Sequence, residues 1–297
     1  MRIGMIGLGD IAQKAYLPVL TALPDLELHL CTRDAAKLAL LGDAHRIAHR
    51  HTTVESLVGA GVEGAFVHAA TEAHRTLVGA LLEAGVHVYV DKPLDDSLDG
   101  ARALVELAER RGRSLMVGFN RRHAPAYAAL LALPREGVLL RKHRAGLPAP
   151  ARRVVFDDFI HVLDTLRFLA PGPITTEVVH AVAREGLLHQ AAVTLAGDGF
   201  LLAGVMHRNA GATAETLELT GPGITRTVRE LVEVLEADPV RGERVHRPDG
   251  WAPVARQRGI EQACLTFLAA LRRGELLSAR DALLTHALCE RVVQAAG

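Results

Sequence analysis

The chain opens on a strand that runs straight into a glycine turn. Ile3-Gly4-Met5-Ile6-Gly7-Leu8-Gly9-Asp10-Ile11-Ala12 passes from an apolar strand pattern to the start of a helix. Gly7 permits the tight turn, Gly9 lets a ligand approach the backbone, and Ala12 fills the third small position, where helix packs on strand. The helix start after the turn presents unpaired N–H groups and a partial positive charge, which suits the pyrophosphate of a dinucleotide. On the glycines alone, an ordinary tight turn competes with this reading.

The segments beyond the turn strengthen the dinucleotide reading. Strands are predicted over 2–6, 26–31, 46–48, 64–68, 87–90 and 114–118. Helices alternate with them over 10–22, 34–41, up to 57, 72–84 and 97–111. Gly85 and Gly112 sit where two of these helices should stop. Strict alternation of this kind predicts a parallel, doubly wound α/β sheet with helices on both faces. Beyond about residue 120 the pattern changes. A helix over 124–133 precedes alternating runs over 138–143, 177–183, 187–195, 200–207 and 213–220, which predict a mostly antiparallel sheet. One helix over 157–170 interrupts them, and helices over 256–272 and 279–295 close the chain. Leu147-Pro148-Ala149-Pro150-Ala151 reads as a loop. The expected organisation is a dinucleotide-binding domain over 1–120 and an α+β domain over 121–297.

Composition narrows the function classes. The 297 residues are enough for two ordinary domains, and 34 basic residues balance 34 acidic ones. A neutral chain lacks the basic excess of a nucleic-acid or membrane-surface protein. No apolar run approaches the roughly 20 residues needed to span a bilayer. The first strand is predicted from Arg2, so no secretory leader is expected. Cys31, Cys264 and Cys289 are widely spaced, which fits reduced thiols in a cytoplasmic protein. His45, His49 and His51 cluster around a short strand with no cysteine or carboxylate at useful spacing, so a solvated face is expected there rather than a metal site.

The tip of the second strand bears on cofactor choice. A carboxylate there would bond the ribose 2′-hydroxyl of NAD. This chain instead has Leu30-Cys31-Thr32-Arg33-Asp34. Arg33 matches a 2′-phosphate geometrically, so NADP(H) is favoured, with NAD(H) the alternative. On the plainer reading Arg33 is solvated and Asp34 caps the next helix.

Two further segments carry chemistry. Val88-Tyr89-Val90-Asp91-Lys92-Pro93 ends a strand on a lysine that Pro93 keeps out of helical backbone angles. That strand end is where such sheets bind ligands. On the predicted helix over 157–170, Asp157, His161 and Asp164 fall on one face. A histidine is suited to proton transfer near neutrality, and a carboxylate can orient it. A helix-capping Asp157 with a core His161 is the bland alternative, and Asp158 competes with Asp157 for the role.

These motifs together resemble the Gfo/Idh/MocA oxidoreductase family. The matching residues are Gly7-Leu8-Gly9-Asp10-Ile11-Ala12, Thr71 and His74 after the fourth strand, and Asp91-Lys92-Pro93, where the family usually has Glu at the Asp91 position. Gly118-Phe119-Asn120-Arg121-Arg122 and the segment from Asp157 through His161 to Asp164 also fit. Lys142-His143-Arg144, Met206-His207-Arg208 and Gln257-Arg258-Gly259 make it similar to the MviM-like oxidoreductases in particular. The resemblance implies a Rossmann domain followed by an open-faced α/β domain whose sheet often builds the oligomer. It implies a lysine near the nicotinamide, here Lys92, and a helical Asp/His pair, here Asp157 and His161.

The expected function is therefore an NAD(P)-dependent oxidoreductase acting on a small polar carbonyl, hydroxyl or imine compound, a sugar or polyol derivative first. Lys92, His161 and Asp157 are the expected catalytic residues. Gly7, Gly9, Asp10, Ile11, Thr32, Arg33, Thr71, His74, Asp91, Lys92, Pro93 and Asn120 are the expected cofactor contacts. Lys142, Arg144, His207, Arg208 and Trp251 are weaker candidates for lining the site. The partners expected are a small-molecule substrate and further copies of the chain, as a dimer or tetramer through the second-domain sheet. The alternative is a catalytically silent dinucleotide-binding sensor or partner subunit.

Overall fold

The computed structural model describes residues 1–247 and 249–297. The chain forms two compact units, 1–118 with 260–283 and 119–259 with 284–297. The stretch Ile260–Leu283, expected with the second domain, thus packs with the first.

The first unit is built on six parallel strands: β1 (Arg2–Ile6), β2 (Glu27–Cys31), β3 (His49–His51), β4 (Gly64–Val67), β5 (His87–Asp91) and β6 (Leu115–Gly118). Their order is β3-β2-β1-β4-β5-β6. The order reverses between β1 and β4, and a doubly wound sheet opens its ligand crevice beyond the strand ends at that point. Ile3, Met5, Leu30, Phe66 and Tyr89 are fully buried, as strands covered on both faces require. Local signals set the helix ends. Asp34 caps Ala35–Ala44 by accepting from the Lys37 N–H, and Thr53 caps Val54–Gly59. Ser97 caps Leu98–Arg111, which ends on Gly112 at φ +59°. Helix Ile260–Arg273 lays Phe267 edge-on against Phe66, with ring centroids 5.2 Å apart.

Three first-unit expectations need correction. The short strand lies at His49–His51 rather than 46–48, because Ile47 is buried in the turn before it. The first helix contains a π-turn, Ala12–Tyr16, before Leu17–Thr21. The helix expected from 256 begins instead at Ile260, because Gly259 at φ +77° ends a separate short helix, Val254–Gln257.

The second unit carries a nine-stranded sheet, ordered β15-β14-β13-β12-β7-β11-β10-β8, with β9 also paired to β10. The strands are β7 (Gly137–His143), β8 (Ala149–Pro150), β9 (Thr176–Arg184), β10 (Leu187–Gly197), β11 (Phe200–His207), β12 (Ala214–Gly221), β13 (Ile224–Arg229), β14 (Glu233–Asp238) and β15 (Gly242–His246). All pairings are antiparallel except β7 with β11. Helix Ile160–Leu169 covers one face. It approaches so closely at Gly204 that a Cβ there would meet Val162 Cγ1 at 2.4 Å. Leu139, Val178, Val182 and Leu201 lie exposed, and the strand register places them together on the opposite face.

β13, β14 and β15 are strands that apolar alternation does not reveal. Their register aligns Arg226 with Glu236 and Glu236 with Arg244, so a charge ladder crosses three strands. Arg244 Nη2 lies 2.6 Å from Glu236 Oε1. The helix expected over 124–133 is divided into Pro125–Ala128 and a 3₁₀ turn, Ala129–Ala132. The helix expected from 157 begins at Ala151 and passes through a π-turn, Val155–Phe159. Ala149–Pro150, expected as loop, forms the two-residue strand β8. Among the described residues, no helix is long and apolar enough to cross a membrane.

Candidate active site

In the first unit the glycine turn stands at the switch point. Gly7 has φ +83°, and a Cβ there would meet the Ala69 backbone nitrogen at 2.5 Å. Its N–H donates to Cys31 O at 3.1 Å, tying the turn to β2. A Cβ on Gly9 would meet nothing within 4 Å, so the space above that backbone is open. A cleft of about 740 Å³ lies there, lined by Gly7, Gly9, Thr32, Arg33, Glu55 and His68 among others. Its size suits a nucleotide cofactor. Arg33 is exposed and makes no ion pair among the described residues, while Asp34 caps the next helix through Oδ1. Asp10 and Ile11 are exposed, and Asp10 pairs with Lys14 at 2.6 Å. Thr71 begins helix Thr71–Glu83.

Lys92 follows β5 directly, half-buried, with its peptide bond to Pro93 in the cis form. Beside it Asp91 uses both carboxylate oxygens within the fold. Oδ1 accepts from the Tyr16 hydroxyl at 2.8 Å, and Oδ2 lies 2.8 Å from His68 Nδ1. Burial pushes the Asp91 carboxyl up, but His68, Tyr16 and Lys92 outweigh it and hold it below the usual carboxylate range. Burial also raises the hydroxyls of Tyr16 and Tyr89, which lie 3.1 Å apart, so both stay neutral. His68 Nε2 is buried and has no hydrogen-bond partner in the fold. With Nδ1 facing Asp91, this nitrogen is free to bond a ligand entering the cleft that His68 lines. The sequence reading did not single out His68 or Tyr16. A histidine directly after a strand at the switch point was the available signal.

His74, expected at the cofactor, is buried. Its ring nitrogens lie 2.8 Å from Pro93 O and 3.0 Å from Ala69 O. Its side chain therefore holds the backbone after Lys92 and after β4 in place, and leaves no ring nitrogen over for a ligand.

In the second unit the π-turn separates two neighbouring carboxylates. Asp158 turns inward, accepting from Arg144 at 2.7 and 2.8 Å and from Arg208 at 2.6 Å. Lys142 Nζ stands 3.4 Å from it and 2.9 Å from Glu215, which Arg121 also grips through two hydrogen bonds. Burial opposes ionisation of Asp158, yet Arg144, Lys142 and Arg208 bring its carboxyl down to about 2. Lys142, Arg144 and Arg208 are thus members of an internal ion network. Asp157 remains half-exposed, 3.7 Å from Arg153. Asp158, the competing carboxylate, is engaged by Arg144 and Arg208. His161 follows one turn later, half-buried. Asp164 does not share an open face with these two. It is buried, accepts from Arg122 at 2.6 and 2.9 Å, and receives the Thr285 hydroxyl. Asn120 donates one of its two amide hydrogens to Arg258 O at 2.7 Å. His207 accepts from the Asn209 N–H. Trp251 is 93% exposed, so it is not a packing residue of this chain.

Comparison with known proteins bears on the family. Residues 1–119 match the family model described as an oxidoreductase family with an NAD-binding Rossmann fold. Residues 126–238 match the YceM-like C-terminal domain. The chain is 35% identical over 276 residues to YceM of Salmonella typhimurium, covering 90% of this chain and 88% of that one. The chain belongs to the Gfo/Idh/MocA family. As a member it is an oxidoreductase with a nicotinamide-dinucleotide domain. The crystal structure of a dehydrogenase (MviM) from Clostridium difficile superimposes with a TM-score of 0.92 at 29% identity, covering 99% of both chains. A myo-inositol dehydrogenase of Streptomyces leeuwenhoekii is 34% identical over 195 residues, covering 62% of this chain and 60% of its own.

Proposed function

We propose that the protein transfers hydride between NADP(H), with NAD(H) as second choice, and a small polar carbonyl, hydroxyl or imine compound. A sugar or polyol derivative is the first candidate, supported by the inositol-oxidising relative. The observation that carries the reading is Lys92 standing at the end of β5, in the unit whose glycine turn opens the cleft. The cleft fits the dinucleotide on its own geometry, through the open backbone above Gly9 and the unpartnered His68 Nε2.

When bound, the nicotinamide supplies or accepts the hydride. The protein's residues handle charge and protons. The Lys92 ammonium stabilises negative charge developing on the substrate oxygen or nitrogen and donates the proton there. Asp91 offsets that ammonium and fixes the His68 ring. His161 shares or relays the proton, and Asp157 orients one of the two. Arg33, which lines the cleft at the β2 tip, selects the 2′-phosphate. The exposed apolar sheet face supports a homo-oligomer, and three buried free thiols suit the cytoplasm.

The test is a panel of sugars, polyols and their oxo and amino derivatives, each assayed with both cofactors for absorbance change of the reduced nicotinamide. Turnover that is lost in Lys92→Ala supports the reading. Dinucleotide binding without turnover on any member would favour the silent sensor instead.

A further inference from the structure

We propose that Glu27, His29 and His49 form a zinc site at the edge of the parallel sheet, apart from the dinucleotide cleft. The register pairs His29 of β2 with His49 of β3, and Glu27 precedes His29 by two residues, so all three side chains leave the same face. Glu27 Oε1 lies 3.0 Å from His29 Nε2 and 3.6 Å from His49 Nε2. The three ligand atoms fall within 4.8 Å of one another. Zinc bonds of about 2.0–2.2 Å in tetrahedral geometry separate their ligand atoms by roughly 3.3–3.5 Å. Small rotations of two half-exposed side chains would complete that spacing.

A second set of contacts orients the ligands. His29 is almost fully buried, and its ring stacks on His49 with centroids 4.3 Å apart. Its Nδ1 lies 3.1 Å from His51 Nε2, and His51 Nδ1 lies 2.9 Å from Ser56 Oγ. With Nδ1–H of His29 donating to His51, and Nδ1–H of His51 donating to Ser56, the His29 Nε2 lone pair faces Glu27 and His49. Metal-bound histidines are held by this kind of outer hydrogen bond. Two imidazoles and a carboxylate, with no thiolate, select a borderline divalent ion over calcium or magnesium. Glu27 and His49 are 48% and 49% exposed, so water can reach the remaining position. The sequence reading missed the site because Glu27 and His29 lie on another strand, far along the chain from His49.

The experiment uses the full chain, stripped with chelator and titrated with Zn²⁺ by calorimetry, then with Co²⁺ by visible absorption. The wild type should take up one strong equivalent, show the intense bands of tetrahedral cobalt and gain thermal stability with zinc. Glu27→Gln and His49→Ala change half-exposed side chains, and circular dichroism confirms their folding. Each should weaken zinc at least about tenfold, and His51→Ala by about 10- to 100-fold. Zinc affinity in the Glu27→Gln and His49→Ala variants equal to wild type, or a wild type with no strong equivalent, would overturn the proposal.

Discussion

His68 Nδ1 and Asp91 Oδ2 meet at 2.8 Å, joining the end of β4 to the end of β5 one residue before Lys92. The pair leaves a buried carboxylate ionised beside the lysine and aims a second imidazole nitrogen at no group of the fold. The proton-handling residue proposed for the first unit is therefore set in a prearranged polar frame.

Lys92→Ala should reduce turnover by about 10²–10⁴-fold, the usual contribution of a positioned general acid. NADPH affinity should stay within a few-fold, because the phosphates are expected at the glycine turn. His161→Ala should lower turnover and flatten its pH dependence near neutrality. Steady-state kinetics across pH, with cofactor binding by fluorescence, checks both. Near-native turnover in Lys92→Ala would refute the assignment.

Arg33→Ala should weaken NADPH binding about 10- to 100-fold, the equivalent of a charge-assisted hydrogen bond of ~1.5–3 kcal/mol, and barely change NADH. Equal losses for the two cofactors in a binding titration would contradict the preference.

Asp158 links stability to acid. Its folded carboxyl lies at about 2, below the unfolded value. A depressed carboxyl stabilises the fold above its unfolded pKa of ~3.9, and that contribution disappears as pH falls through the folded value. The difference corresponds to roughly 2–3 kcal/mol. Urea midpoints should therefore fall between about pH 4 and 2 in the wild type. Asp158→Asn should show a shallower acid slope, and at neutral pH should be less stable by ~3–5 kcal/mol, because Arg144 and Arg208 lose their carboxylate. Identical acid slopes would remove Asp158 from the account.

Gly204→Val should destabilise the protein by about 1–3 kcal/mol through overpacking, since even a Cβ collides with Val162. An unchanged melting temperature would mean that helix Ile160–Leu169 can lift off its sheet at no cost.

The exposed face bearing Leu139, Val178, Val182 and Leu201 should bury itself in a dimer or tetramer. Leu201→Asp should shift light-scattering mass toward the monomer. A wild type that is monomeric across micromolar concentrations would rule the interface out.

The parallel sheet was legible because its strands are apolar and its helices end on capping residues and glycines. β3 was misplaced because a three-residue edge strand of His-Arg-His carries no apolar signal. β13 to β15 were invisible for a related reason, since their stabilising pairs are charges matched across strands. Gly7, Gly9 and Lys92 announce themselves through local backbone demands. His68 and Tyr16 do not, because each meets Asp91 only after distant segments are brought together. The same holds for Asp158, whose inward turn depends on Arg144 and Arg208 on the loops flanking the sheet.

The return of Ile260–Leu283 to the first unit has a consequence for how the molecule can be taken apart. A piece ending at Gly118 would keep all six parallel strands yet lose Phe267 from against Phe66 and Tyr89, and lose the bond from the Leu115 N–H to Leu277 O. Its sheet would present aromatic rings to water along a bare flank. The unit bearing the glycine turn is discontinuous in sequence, so a ribosome completes it only when Ile260–Leu283 emerges.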